Sequence, residues 1–171
     1  MNFYDLLKTR AETQGDKTFL QADGKIFSYR DFLNAVDTQA HGGKFFSQAV
    51  NFFAAQKFNQ SNTFEVKTSG STNAPKILRR TFDSWMDFFP TQNKIFRVDA
   101  SSKVFMHGSL DFTGNLNTLL AVLHAGGSVV TTDKFAPRTW LELVKDATNI
   151  YLVPAKLTLL ANGAPLDNVR A

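Results

Sequence analysis

Apolar residues follow two rhythms along this chain, and the change between them divides it into an earlier and a later half. Phe3, Leu6 and Leu7 keep a helical spacing that Gly15 and Asp16 bring to an end. The next stretch, KTFLQADGKIFSY, predicts a hairpin in which residues 18–21 and 25–29 flank Asp23-Gly24, a favoured tight-turn pair. Ser28 and Asp31 stand at capping-box spacing before a helix that presents Phe32, Leu33 and Val36 on one face. His41-Gly42-Gly43 interrupts the pattern, and Phe46, Ala49, Val50 and Phe53 then recur at the period of an amphipathic helix. FNQSN reads as a polar connector and TFEVKT as a strand. Phe82, Trp85, Met86 and Phe89 mark a further helix, expected to close at Pro90 because proline removes a backbone donor and crowds the preceding turn.

From Lys103 the rhythm becomes strand, helix, strand, helix. KVFMH is a strand, and the helix over 116–123 ends at Gly126-Gly127, suited to a left-handed cap. GSVVTT and NIYLV are strands, PRTWLELVKD is a helix with Pro137 near its start, and Pro154 opens another helix through Leu157, Leu159 and Leu160 to Gly163. Continuous apolar strands alternating with helices predict an α/β fold: a mostly parallel sheet covered by helices on both faces, with an N-terminal β-hairpin. One unit over 1–171 is expected, with the first helix, hairpin and helices in 1–60 and a βαβ core in 61–171.

Composition changes this picture little. A chain of 171 residues with 43% hydrophobic and 20% charged residues can bury one ordinary core. Most of the seventeen phenylalanines fall at helical spacing, which assigns them to packing. The net charge of +4 comes without a Lys/Arg run, so it describes a solvated surface and argues against a nucleic-acid partner. Without cysteine there are no disulfides and no thiolate metal site. The N-terminus lacks the features of a signal peptide, and no apolar run is long enough for a membrane span, so a cytoplasmic location is expected.

Candidate chemistry gathers in VKTSGSTNAPKI. Small residues there could converge backbone N–H groups on an anion, their hydroxyls add donors, and Lys76 adds charge. The stretch is not a P-loop, since the second glycine and the Ser/Thr after the lysine are missing. On these residues alone, a phosphate loop and a plain polar turn both remain open. His107 ends a strand and is a candidate for a ligand pocket, with a hydrogen-bonded structural histidine as the other reading. His124 sits at a helix end, where it complements the dipole, and His41 beside two glycines is expected at the surface. Three scattered histidines without an acidic cluster make no metal site.

TSGSTNAPK closely resembles the signature loop of the adenylate-forming superfamily, TSG-[ST]-T-G-x-P-K, whose members include acyl-CoA synthetases, aryl-CoA ligases, luciferases and peptide-synthetase adenylation domains. Eight of nine positions fit, and Asn73, which tolerates left-handed backbone, replaces the usual glycine. Three other blocks resemble the family in the same order: DKTFLQADGKIFSYRDF, LDFTGNLNTLLAVLHAGGSVV and FAPRTWLELVKDATNIYLVPAKLTLL. Phe112, fourteen residues before Gly126, occupies the family's aromatic position.

The resemblance implies the N-terminal part of an ATP-dependent acyl- or aryl-acid ligase that forms an acyl-adenylate with Mg2+. Coenzyme A or a carrier-protein pantetheine would then receive the acyl group. It places Thr68, Ser69, Gly70, Ser71, Thr72, Asn73 and Lys76 around the nucleotide phosphates, with Lys76 stabilising charge rather than performing chemistry. It places Phe112, Thr113 and His107 at the acyl pocket, and names no catalytic residue in this chain. Amino-acid-activating relatives often carry Asp after the aromatic; Thr113 stands there, which favours a plain acyl or aryl acid over an α-amino acid. The family's adenine and ribose motifs, its magnesium-associated acidic residue and its C-terminal domain have no counterpart in these residues. The chain is therefore expected to be inactive alone, as a fragment or as one part of a split enzyme with a complementary chain. The alternative is a degenerate, non-catalytic binding module retaining the fold.

Overall fold

A computed structural model describes residues 1–68 and 76–162. Helix α1 (Phe3–Gln14) begins at a capping box, Asn2 accepting from the Asp5 N–H while Asp5 accepts from Asn2. Strands β1 (Thr18–Ala22) and β2 (Lys25–Ser28) form the predicted antiparallel hairpin, turning through Asp23 and Gly24 with φ of 49° and 82°. The Ser28–Asp31 capping box starts α2 (Tyr29–Asp37) as its spacing predicts.

Helix α3 (Lys44–Phe58) has no side-chain cap of its own. Asp133 supplies one from a distant loop, its carboxylate accepting from the backbone N–H groups of Lys44 and Phe45. A negative charge there also suits the positive end of the helix dipole.

Strand β3 (Thr63–Thr68) pairs antiparallel with β4 (Lys76–Thr81) in a separate two-stranded sheet. Strand β4 was not expected, because KILRRT is exposed at five of its six positions and carries no buried alternation. Helix α4 (Phe82–Ile95) corrects the expectation of a stop at Pro90, which lies inside it. Phe89, Gln92 and Asn93 continue the buried face begun by Phe82 and Trp85, and Asn93 donates to the Ala121 carbonyl at 3.0 Å. Burial of that face outweighs the backbone bond that proline forfeits.

The remaining elements are β5 (Lys103–Met106), α5 (Thr113–Ala125), β6 (Ser128–Thr131), α6 (Pro137–Val144), β7 (Asn149–Tyr151) and α7 (Pro154–Ala161). Gly126 closes α5 at φ 77°, the left-handed cap predicted for it. The main sheet runs β2-β1-β6-β5-β7, with β1, β6, β5 and β7 mutually parallel. Alternate residues serve opposite faces: Val104, Met106 and Val129 join a core with α1, α2, α3, α4 and α5. Phe105 and Val130 join Trp140, Val144 and Leu160 beneath α6 and α7. The α/β fold with a mostly parallel sheet and covered faces is as the sequence predicts.

Tyr29, fully buried between the layers, donates to the Gly127 carbonyl at 2.6 Å, and burial drives its phenol well above the usual range. Phe3 is also fully buried and meets the rings of Phe64, Phe82 and Trp85 at 5.2, 4.8 and 6.3 Å. It thereby fastens the β3–β4 hairpin to the rest of the chain. Phe3→Ala is expected to cost about 3–5 kcal/mol in chemical denaturation, the range for truncating a core phenylalanine. A loss under about 1 kcal/mol would contradict this role.

Candidate functional site

Open parallel sheets form crevices at the carboxyl ends of their strands, where the chain leaves one strand to enter a helix. Here β5 ends at Met106 and β7 at Tyr151, and a cleft of about 580 Å³ opens beside both ends. His107, Gly108 and Ser109 line one side of it, Phe112 to Asn115 another, and Tyr151, Val153 and Lys156 a third. Lys67 and Thr68 approach from the end of β3.

Several contacts set these walls. The Thr113 hydroxyl donates to the Lys67 carbonyl at 2.6 Å, and Lys67 bridges Phe112 in parallel fashion. The β3 hairpin is thus docked onto the start of α5. The Asn115 amide donates to the Ser109 carbonyl at 2.8 Å, holding the loop between β5 and α5. Two glycines keep the cleft open. Gly108 has φ 132°, and a Cβ there would come within 2.8 Å of Asn115 and 3.2 Å of the Lys156 ammonium. A Cβ at Gly114 would collide with the Tyr151 hydroxyl.

His107 and Lys156 form the polar corner. Lys156 Nζ lies 2.9 Å from His107 Nδ1 and donates to the His107 carbonyl at 3.2 Å. An ammonium can only donate, so Nδ1 accepts and the neutral ring carries its proton on Nε2. Trp140 packs 4.5 Å from the imidazole, centroid to centroid. Burial, then the nearby Lys156 charge, push the His107 pKa below its ordinary value, and burial alone lowers that of Lys156.

Of the residues singled out in the sequence, His107, Phe112, Thr113 and Thr68 come together on this one cleft. Phe112 is 53% exposed, presenting its ring to the cleft and solvent rather than to the core. Lys76 pairs with Thr68 across the hairpin, where the Thr68 hydroxyl donates to its carbonyl at 3.4 Å. Ser69, Gly70, Ser71, Thr72 and Asn73 lie outside the described residues. Lys156, Tyr151, Gly108 and Gly114 were not anticipated. Lys156 sits among apolar residues in PAKLTLL, and a polar position interrupting an apolar helix start was the available signal.

Comparison with known proteins bears directly on this arrangement. No family model matches the chain. An uncharacterized acyl-CoA ligase of Bacillus subtilis, YhfT, is 33% identical over 97 residues, covering 55% of this chain and 20% of that protein. The match thus spans about a fifth of the length of that curated relative. The N-terminal domain of FACL13 from Mycobacterium tuberculosis, solved with an inhibitor, superposes with TM-score 0.80 at 12% identity, covering 98% of this chain and 67% of that one. O-succinylbenzoate coenzyme A synthetase of Bacillus subtilis, solved with ATP and magnesium, gives TM-score 0.76 at 12% identity, covering 96% and 53%. The chain has the fold of the N-terminal part of the adenylate-forming ligases. The resemblance carried by TSGSTNAPK and its flanking blocks is borne out at that level.

Within this adenylate-forming fold, His107 and His124 both titrate below their ordinary value of 6.5, chiefly through burial. As pH falls below that value the unfolded chain takes up these protons first, so the folded state loses stability between 6.5 and the depressed folded values. Asp31 and Asp37 are depressed from 3.8, so their stabilisation is lost only as pH falls below that value. The thermal midpoint is expected to fall between about pH 7 and about pH 5, with a shallower slope in His107→Gln. A wild-type midpoint that is flat over this interval would contradict the burial of both rings.

Proposed function

We propose that this chain is the phosphate-loop and acyl-pocket portion of an ATP-dependent acyl- or aryl-acid ligase, which joins a carboxylate to AMP and then passes the acyl group to a thiol. The observation that supports this most is spatial. Thr68, which opens the TSGSTNAPK stretch, lines the same cleft as Phe112, the residue at the family's aromatic position. The resemblance predicts that loop and pocket meet, and in sequence they stand more than forty residues apart.

The cleft suits such a reaction electrostatically. Lys67, Thr68 and Lys156 offer positive charge and a hydroxyl, and no carboxylate stands among its described lining residues. Nucleotide phosphates would lie toward Thr68 and Lys76, with Ser69, Gly70, Ser71, Thr72 and Asn73 supplying the donors that the resemblance assigns them. Magnesium, when bound with ATP, spreads the charge that develops on the departing pyrophosphate. Phe112 and Thr113 would border the acid and exclude water from the reacting carboxylate, raising the worth of every charge nearby. Thr113 offers no negative charge to an ammonium, in keeping with an acyl or aryl acid. Coenzyme A or a carrier-protein pantetheine is the proposed acceptor. No described helix is long and apolar enough to cross a membrane, and we place the enzyme in the cytoplasm.

Carboxylate-dependent exchange of labelled pyrophosphate into ATP tests the proposal. A ligase completed by the missing parts of the fold, whether they lie on this chain or on a complementary one, should catalyse exchange, and the 171-residue chain alone should not. In the completed ligase, Thr68→Val and Phe112→Ala are each expected to lower exchange about tenfold to a hundredfold, the scale of losing a positioned donor or wall. Exchange by the isolated chain would overturn its dependence on further residues. A completed protein that binds ATP without exchange would instead be a non-catalytic binding module.

A further inference from the structure

Lys156 is placed unusually for a lysine that only supports structure. It projects from the first turn of α7 into the cleft, between His107 and Gly108, and is half-buried. Its two recorded partners, His107 Nδ1 at 2.9 Å and the His107 carbonyl at 3.2 Å, are both uncharged acceptors. No carboxylate lies within ion-pair distance of it among the described residues, although the chain pairs Lys57 with Asp37 and Lys145 with Glu142 elsewhere. A partly desolvated ammonium that has lost water without gaining an anion is an unfavourable arrangement unless a ligand supplies the anion. Two of its three N–H donors are engaged, which leaves one to point at a bound oxygen.

The rest of the cleft separates two groups of side chains. Thr68, Lys67, Thr113 and Phe112 are joined by the contacts of the β3 hairpin with α5. Lys156, His107 and Gly108 are joined by the contacts of α7 with the end of β5. Both groups line one cavity of about 580 Å³, within the range that holds a small organic acid. A substrate whose reacting carboxylate faces the Thr68 group would turn its far end toward the Lys156 group.

We infer that the acid taken by this cleft carries a second acidic group, a dicarboxylate in chemical class, and that Lys156 binds that group. This rests on the reading of the cleft as an acid site. Lys156 is then a specificity-determining residue that takes no part in bond making. The His107 imidazole orients its ammonium, and the glycine at 108 leaves the space through which the two meet. A monocarboxylate of equal length, with an uncharged far end, would leave the ammonium desolvated and unpaired, so charge at the far end is what the cleft selects.

Binding of matched acids to the completed ligase, with its remaining parts on this chain or on a complementary one, measured by isothermal titration calorimetry, tests this. The probes are valerate against glutarate, octanoate against octanedioate, and benzoate against terephthalate. In at least one pair the diacid should bind about tenfold more tightly, as expected for a charge-assisted contact in a partly desolvated site. Lys156→Met should bring that ratio close to one, and Lys156→Arg should retain most of it. Circular dichroism melts establish that both variants fold. Acids bound without preference for the second charge, or a preference that survives Lys156→Met, would overturn the inference and leave the acid site standing. Failure of every acid to bind would overturn the acid site itself, and the inference with it.

Discussion

The structure depends on the burial of Phe3. Its ring has Phe52, Phe64, Phe82, Trp85 and Phe89 as neighbours, drawn from α3, β3 and α4. Helix α1 contributes little by propensity, and the capping box at Asn2 fixes where it starts. The Asn2 amide also donates to the Gln56 carbonyl at 2.9 Å, tying that start to the end of α3. Edge-to-face packing of this kind adds to the area buried, and it links elements that the sheet does not join. Through it the two-stranded β3–β4 sheet, which shares no ladder with the main sheet, acquires a fixed position. Thr68 is at the end of that strand, so the geometry of the cleft is inherited from a ring more than sixty residues away in sequence.

The main sheet supplies the opposite wall by a more general route. Strands β6, β5 and β7 run parallel, so their carboxyl ends emerge on one side, and the chain must leave each through a loop before the next helix. His107, Gly108 and Ser109 follow β5 immediately, while Val153 and Pro154 follow β7. Their side chains converge because adjacent parallel strands end together, whatever the loop sequences are. What the loop residues decide is whether the crevice stays open. Glycine at 108 and 114 does so, since any larger residue would meet Asn115, Lys156 or Tyr151.

Much of this was legible in the sequence where a local signal and the tertiary outcome agree. The Asp23-Gly24 hairpin, the Ser28–Asp31 capping box, the Gly126 cap and the apolar strands all follow from rules that act within a few residues. The failures have the opposite character. Strand β4 is set by its ladder with β3, and a nearly fully exposed strand has no apolar period to reveal it. Pro90 is tolerated because Phe89, Gln92 and Asn93 gain from burial against α5, a fact of packing. The α3 cap comes from Asp133, nearly ninety residues later, and no window on Lys44 could contain it. Family resemblance singled out Thr68, Phe112 and Thr113 through motifs, and all three line the one cleft. Lys156 lies within the last quoted block without being singled out in it, and its place at the cleft shows only in its distance to His107.

That distance also decides how charge is apportioned in the cleft. If both groups were protonated, two positive charges would stand about 3 Å apart in a partly desolvated corner, with a repulsion of several kcal/mol even at a moderately screening dielectric. One of them must give up its proton, and the imidazole, with the lower intrinsic affinity, is the one that does. The Trp140 ring against His107 reinforces this by excluding water from the uncharged partner. Near neutral pH the corner therefore presents a single positive charge, carried on the flexible lysine and aimed by a neutral ring. Trp140 and Leu160 belong to the smaller core under α6 and α7, so the aim of that charge depends on packing behind the sheet. A substitution in that core could retune the cleft without touching any residue that lines it.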